Sequence, residues 1–315
     1  MKREAMLKTI QHLVLSMFTA VCVMAAVPAM AQTHQETRGQ AEDGNPDSQS
    51  SLADAYFHGR DGFEQNDYLA LHWYKKIAER GDDFAIQQVG RLLLTGDFDV
   101  APEAAKDRAI KWYQDALAKG HSTSKRQIEK ITAMSAEDVA ALRLESQLEK
   151  ALAILECNKG DTLPCGDEPQ KSALLKIKTL ADQELTSAQS VWGSLLFDEG
   201  AMAKLGGKPD PNAAIAYLTK AANKGDETAM LFLARVYEHG RGVPKDTAAA
   251  LMWYDRAMAK MTAERAEAAK NNVIISGGND TLIQCKLHFL RGDKIAEHTR
   301  QECTAWDREA FYRAY

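Results

Sequence analysis

The chain has 315 residues, of which 45% are hydrophobic and 26% are charged, and its formal net charge is −5 at neutral pH. This length is ample to bury a core. The acidic balance and the lack of a basic stripe exclude a protein that binds nucleic acid through a positive surface.

Residues 1–31 have the pattern of a secretory signal peptide. Lys2, Arg3 and Lys8 form a positive start, an apolar stretch follows, and Ala29-Met30-Ala31 is a small-x-small cleavage site. We predict export with cleavage after Ala31, to the periplasm or beyond; an uncleaved anchor is the alternative. Cleavage removes three positive charges and one negative charge, which leaves −7. No later run is long and apolar enough to span a bilayer.

Residues 32–47 are polar and predict a flexible leader. A pattern of about 36 residues then recurs twice over 44–120 and twice over 184–261, which indicates stacked helix hairpins. In each copy a first helix ends at or near glycine, and the second helix has an alanine three residues before an aromatic ring. These pairs are Ala70 with Trp73, Ala109 with Trp112, Ala214 with Tyr217, and Ala250 with Trp253. We interpret the rings as core residues rather than as ligand contacts.

The middle of the chain, 121–183, is predicted to be degenerate repeat material. Ser135-Ala-Glu-Asp138 reads as a capping box at the start of a helix that runs to about Glu156. Residues 262–315 leave the repeat pattern and predict a helical cap, since a solenoid must cover its last apolar face.

Four cysteines remain after cleavage, and an even count in an exported chain favours disulfides. Three connectivities are open, of which we favour the two local pairs. A metal site is disfavoured because no C-x-x-C is present. The favoured pairs are Cys157–Cys165 and Cys285–Cys303.

The repeats resemble the Sel-like repeat family, which is related to tetratricopeptide repeats. The resemblance is carried most clearly by Ala229 to Ala257, with Tyr237, Gly240 and Gly242 before the second helix. It implies an all-α superhelix of helix hairpins, a role in protein–protein interaction and no shared catalytic motif. One cysteine-rich branch of the family links adjacent helices through cysteines spaced like Cys157 and Cys165.

Two departures from the pattern are candidate partner-binding segments. The insert 200–208 is glycine-rich, and its side chains Met202, Lys204, Leu205 and Lys208 are predicted to be exposed. The tail carries Trp306 and Tyr312, which either anchor a partner or lock the cap onto the last repeat.

Candidate chemistry is sparse. Ser122-Thr-Ser-Lys125 matches the Ser-x-x-Lys of penicillin-recognising enzymes, but no Lys-Thr-Gly follows. His58 and His239 share one repeat position just before a glycine, which explains them as turn residues rather than metal ligands.

These observations predict an exported, periplasmic scaffold or adaptor that binds another protein through its concave face or the 200–208 insert. No enzyme activity, cofactor or metal is expected. One alternative is a cell-envelope enzyme or a cell-wall or penicillin-binding protein, and another is a secreted effector that acts on host proteins.

Overall fold

The structure is a computed structural model that describes residues 34–156, 167–270 and 280–291. All regular secondary structure in those ranges is α-helical. The chain divides into two compact units, Met1–Gly166 and Asp167–Tyr315, and each is described by itself. The predicted all-α fold of stacked helix hairpins is confirmed.

The first unit is a stack of hairpins with one helix that turns back on it. Its helices are α1 (residues 34–42), α2 (Pro46–His58), α3 (Asp67–Ala78), α4 (Asp83–Thr95), α5 (Pro102–Ala118), α6 (Thr123–Thr132) and α7 (Ala136–Glu156). Helices α2 and α3 form one hairpin, α4 and α5 form the next, and α6 continues the stack against α5. Helix α7 reverses and contacts α2, α4 and α5.

The second unit repeats the same plan. Its helices are α8 (Asp167–Asp182), α9 (Thr186–Leu195), α10 (Glu199–Lys204), α11 (Pro211–Asn223), α12 (Glu227–His239), α13 (Thr247–Lys270) and α14 (Asp280–Arg291). Helices α9 and α11 form one hairpin and α12 and α13 form the next. Helix α8 packs against α9 at one end, and α14 packs against α13 at the other.

Most hairpin helices begin with an Asx side chain that accepts a hydrogen bond from a backbone amide three residues later. The acceptor distances are 2.6–3.0 Å, and each such cap contributes about 1 kcal/mol. The capping residues of these helices are Asn45, Asn66, Asp82, Asp210, Asp226 and Asp246, and Asp198 caps the short helix α10 in the same way. The predicted capping box of α7 is also present, because Ser135 and Asp138 exchange backbone-to-side-chain hydrogen bonds of 2.8 and 3.1 Å.

The core is built on the predicted alanines, all four of which are fully buried. The prediction for the aromatic rings holds for Trp73 and Trp253 only, since Trp112 and Tyr217 are half-buried. The residue after the ring is buried in every copy, because it points between the two helices of the hairpin. These deeper residues are Tyr74, Tyr113, Leu218 and Tyr254.

The close approach of helices within a hairpin explains two glycines. A Cβ atom on Gly90 would lie 2.2 Å from the Tyr113 ring, and one on Gly193 would lie 2.7 Å from Leu218 Cγ. Both glycines leave room for the deep residue of the partner helix, so a large side chain can fill the core without separating the helices.

The prediction of a flexible leader is wrong for the described residues, since residues 34–42 form α1. Ala41 is fully buried, and its carbonyl accepts a 2.9 Å hydrogen bond from Gln49 Nε2. Gln189 Nε2 makes the same contact with the Ala181 carbonyl of α8, at 3.3 Å. Helices α1 and α8 therefore take equivalent places ahead of a first hairpin. The polar composition of these residues predicted a flexible segment, but a short helix can cover an apolar edge with only one apolar face.

The turns into successive hairpins share a left-handed residue. Gly44, Gly81, Gly120 and Gly225 have φ between 85° and 100°, whereas the turn from α8 to α9 uses Glu184 with φ 64°. A residue with a Cβ atom is strained in this conformation, by about 1–2 kcal/mol.

We predict that Glu184→Gly stabilises the protein by about 0.5–1 kcal/mol, since relief of the strain exceeds the entropic cost of glycine. The Glu184 carboxylate is exposed and lies 3.8 Å from Lys224 Nζ, a surface contact of little value. Urea unfolding followed by circular dichroism measures the change. Glu184→Ala keeps the Cβ atom and is the control; equal stability of the two variants would contradict the strain.

Candidate functional site

A buried ion pair fixes α7 against the hairpins of the first unit. Lys150 Nζ of α7 lies 2.5 and 2.7 Å from the two carboxylate oxygens of Asp67, and both side chains are at most 6% exposed. The Asp97 amide, in the turn between α4 and α5, also donates to the Asp67 carboxylate, at 2.8 Å. One carboxylate at the start of α3 therefore holds the α4–α5 turn and α7 together.

Further contacts run along the same side of the repeats. Lys150 Nζ lies 5.1 Å from the centre of the Phe57 ring at the end of α2, and the Arg91 guanidinium lies 5.2 Å from it. Glu149 forms an ion pair with Arg91 of α4. Arg143 donates to the Val100 carbonyl at 2.6 Å. Helix α7 thus lies along the edge at which both hairpins turn, and Arg143, Glu149 and Lys150 bind it there.

The Asp54 carboxylate of α2 belongs to a second polar group nearby. One carboxylate oxygen lies 3.0 Å from His58 Nδ1, and the other lies 3.7 Å from the Arg60 guanidinium. The His58 hydrogen bond lowers the pKa of Asp54. Burial, reinforced by the Asp54 charge, raises the pKa of the Tyr74 hydroxyl. His58 thus has the local turn role predicted for it.

The second unit holds α14 in the same way. Lys286 of α14 lies 3.0 Å from Glu238 of α12, and Tyr254 donates to the same carboxylate at 2.7 Å. Glu238 stands just before His239 and Gly240, as Phe57 stands before His58 and Gly59. In both units, therefore, a lysine from a helix outside the hairpins reaches the C-terminal end of the first helix of a hairpin.

An open groove of about 560 Å³ lies between α3 and α5. Its apolar side chains are Leu71, Leu93, Phe98 and Trp112, together with Tyr68, which is 61% exposed. The Tyr68 and Phe98 rings meet edge to face, with centroids 5.0 Å apart. The charged lining residues are Lys75, Arg108, Lys111 and Asp115. Trp112, predicted as a core residue, lines this groove and donates its indole N–H to the Ile86 carbonyl at 3.0 Å.

The groove was missed in the sequence although its signal is present there. Tyr68, Leu71 and Lys75 are spaced three and four residues apart, and so are Arg108, Lys111 and Asp115. Such spacing places each set on one helix face. Only the packing of α3 and α5 against α4 brings the two faces together.

The insert 200–208 differs from its prediction. Residues 199–204 form α10, and Met202 is buried, at 4% exposed, rather than exposed. Lys204 pairs with Asp167 of α8 at 3.0 Å, Leu205 is half-buried, and Lys208 is exposed. The insert therefore packs against α8, where Asp167 pairs with Lys204.

The remaining predicted site residues are only partly described. Cys285 is buried and disulfide-bonded, whereas Cys157, Cys165, Cys303, Trp306 and Tyr312 lie outside the described residues, so the favoured pairing stays a prediction. Ser122 and Lys125 are both exposed at the start of α6. Among residues 34–156, 167–270 and 280–291, no group of His, Cys, Asp and Glu is arranged to hold a metal ion. None of the helices described there is long and apolar enough to cross a membrane.

We predict that Lys150→Met destabilises the protein by about 3–5 kcal/mol, because it leaves the Asp67 carboxylate buried without its counter-ion. Asp67→Asn in the same chain should restore most of that loss, since the amide oxygen still accepts from Asp97. Urea unfolding of the single and double variants gives the coupling. Lys178→Met, which breaks an exposed pair with Asp182, is the control and should cost at most about 1 kcal/mol. Additive effects of the two substitutions would contradict the assigned pair.

Comparison with known proteins agrees with the repeat boundaries. The Sel1 repeat model matches residues 46–82, 84–121, 186–226 and 228–259. No curated protein shows significant sequence similarity to the chain. These matches cover the four hairpins described above, α2 with α3, α4 with α5, α9 with α11, and α12 with α13.

Two solved structures are similar to this chain. A Sel1 repeat protein from Oxalobacter formigenes is 24% identical with a TM-score of 0.33, over 83% of this chain and 93% of that one. A protective antigen of uropathogenic Escherichia coli that displays an SLR fold is 20% identical with a TM-score of 0.33. The match covers 91% of this chain, which spans 65% of the length of that antigen. On its four matched repeats, the chain belongs to the Sel1 repeat family.

Proposed function

We propose that the protein is an exported scaffold or adaptor that binds another protein through the exposed faces of its repeats. The main observation behind this proposal is the set of four Sel1 repeats, because proteins built from them generally mediate protein–protein interaction. The packing supports this role: the largest buried side chains lie within and between hairpins, whereas Tyr68, Phe84 and Met252 are large apolar side chains exposed on helix surfaces.

Export is supported by the positive start, the apolar stretch and the Ala29-Met30-Ala31 site. The periplasm is the location we propose. The envelope-enzyme alternative gains no support from the described residues, since Ser122 and Lys125 are exposed and are not among the residues that line the groove between α3 and α5. The secreted-effector alternative differs from our proposal in location, which cell fractionation distinguishes.

For export, we expect the mature chain to begin at Gln32. Tagged protein is expressed in a Gram-negative host, and its mass is measured in periplasm, cytosol and medium. Ala29→Leu with Ala31→Leu should leave the chain uncleaved, because the cleavage site requires small residues. A full-length chain in the cytosol would contradict export, and a mature chain mainly in the medium would favour the effector alternative.

For binding, a photo-crosslinking amino acid is placed singly at four exposed positions in cells: Tyr68, Phe84, Lys208 and Met252. We expect at least one position to crosslink reproducibly to a protein identified by mass spectrometry. The control is the same residue at buried Leu92, which should crosslink only within the chain. Absence of any crosslinked protein at all four positions would contradict the adaptor function.

A further inference from the structure

We propose that the groove between α3 and α5 binds an acidic segment of a partner protein, in which a large apolar side chain lies between carboxylates. This proposal rests on the proposed function and names the surface and the chemistry of the partner. The charged rim, the apolar lining and the fixed geometry of the groove each support it.

The lining of the groove provides room for a large apolar side chain. Leu71 of α3, Leu93 of α4 and the Phe98 and Trp112 rings form it, and Tyr68 stands at its rim with more than half of its surface exposed. Exposed aromatic surface next to an apolar cleft is a frequent anchor site in protein interfaces. A volume of about 560 Å³ is ample for one aromatic or branched side chain and the backbone around it.

One end of the groove is held rigidly by the ion pair described above. Tyr68 follows Asp67 in α3, and Phe98 follows Asp97 in the α4–α5 turn, so the 2.8 Å Asp97–Asp67 hydrogen bond sets the spacing of the two rings. Lys150 then neutralises the carboxylate that makes this bond. The binding surface is therefore formed before a partner arrives, which reduces the entropy lost on binding.

The charge at the rim determines which partner fits. Lys75, Arg108 and Lys111 line the groove together with a single carboxylate, Asp115. None of the three cations forms an ion pair with a residue that the structure describes, so their charges are available to a ligand. Unpaired cations around an apolar cleft attract carboxylates on either side of a bound apolar residue.

None of the three cations is kept at the equivalent position of the second unit, where Arg256 instead takes the place of Asp115. In the register set by the core alanines, Thr219 replaces Lys75, Ala249 replaces Arg108 and Met252 replaces Lys111. The aromatic position is kept as Trp253, which is buried. The repeat fold therefore does not require these three cations, and their presence on α3 and α5 points to a ligand.

A peptide fits the groove better than a phosphate group does. Residues 68 and 75 lie about 10 Å apart along the axis of α3, at 1.5 Å per residue. This length matches three extended residues or two helical turns. The lining is mostly apolar, which an apolar side chain can fill and a phosphate backbone cannot, so nucleic acid is an outcome of the test rather than the proposal.

The test is selection from a random twelve-residue peptide library displayed on phage, with the mature chain as bait. We expect the selected peptides to carry an aromatic or leucine residue flanked by aspartate or glutamate. Affinity of a labelled selected peptide should fall at least about tenfold in Lys75→Glu/Lys111→Glu, and less in Lys75→Gln/Lys111→Gln.

Binding should also weaken as salt rises from 50 to 300 mM, because the Debye length falls below about 10 Å. Tyr68→Ala, at an exposed ring, should weaken binding without affecting folding.

Lys171→Glu/Lys176→Glu changes the net charge equally on the exposed face of α8 and is the matched control. It should leave affinity unchanged, and circular dichroism verifies that every variant is folded. The proposal is overturned by selected peptides without acidic residues, by equal binding to the groove variants, or by an oligonucleotide that displaces the peptides. A partner that crosslinks only at Phe84, Lys208 or Met252 would overturn the groove as the docking surface while leaving the adaptor function intact.

Discussion

The close contact between the two helices of each hairpin is the constraint on which the structure depends. The second helix of each hairpin carries a fully buried alanine, and the first helix of two hairpins carries a glycine that faces a large buried residue of its partner helix. These small residues let the two backbones approach each other. The large residue after the aromatic position then fills the space between the helices. Because this packing uses the inner faces of the helices, the outer faces are left for other contacts.

The outer faces are used differently in the two units. In the first unit, α7 lies along the side on which the hairpins turn. There Lys150 pairs with Asp67 of α3, and Glu149 pairs with Arg91 of α4. In the second unit, α14 is fixed by Lys286 on Glu238, with the Tyr254 hydroxyl as a second donor. Separating a buried lysine from its carboxylate leaves a charge without a partner, which costs several kcal/mol. These ion pairs therefore fix the positions of α7 and α14.

This arrangement links the architecture to binding. The Asp67 carboxylate accepts from Lys150 of α7 and also from the Asp97 amide in the turn that carries Phe98. Helix α7 and one end of the groove are therefore fixed by the same carboxylate. The groove has an apolar lining, an exposed ring and three cations, and on these features we propose that it binds an acidic segment. A scaffold of this family can thus acquire a specific surface by changing a few outward residues, without changing its core.

The sequence by itself determined the helix hairpins, their register and their caps, because these depend on residues close together in the chain. The Asn and Asp caps, the glycine turns, the Ser135–Asp138 box and the buried alanines are all local patterns. Only the tertiary structure decided that α7 reverses onto the repeats, that Met202 of the insert is buried, and that Trp112 lines a groove. Lys150 and Asp67 are 83 residues apart, and no local pattern relates them. Such contacts follow from how whole helices pack, and the free energy that selects them is shared among residues from several helices at once.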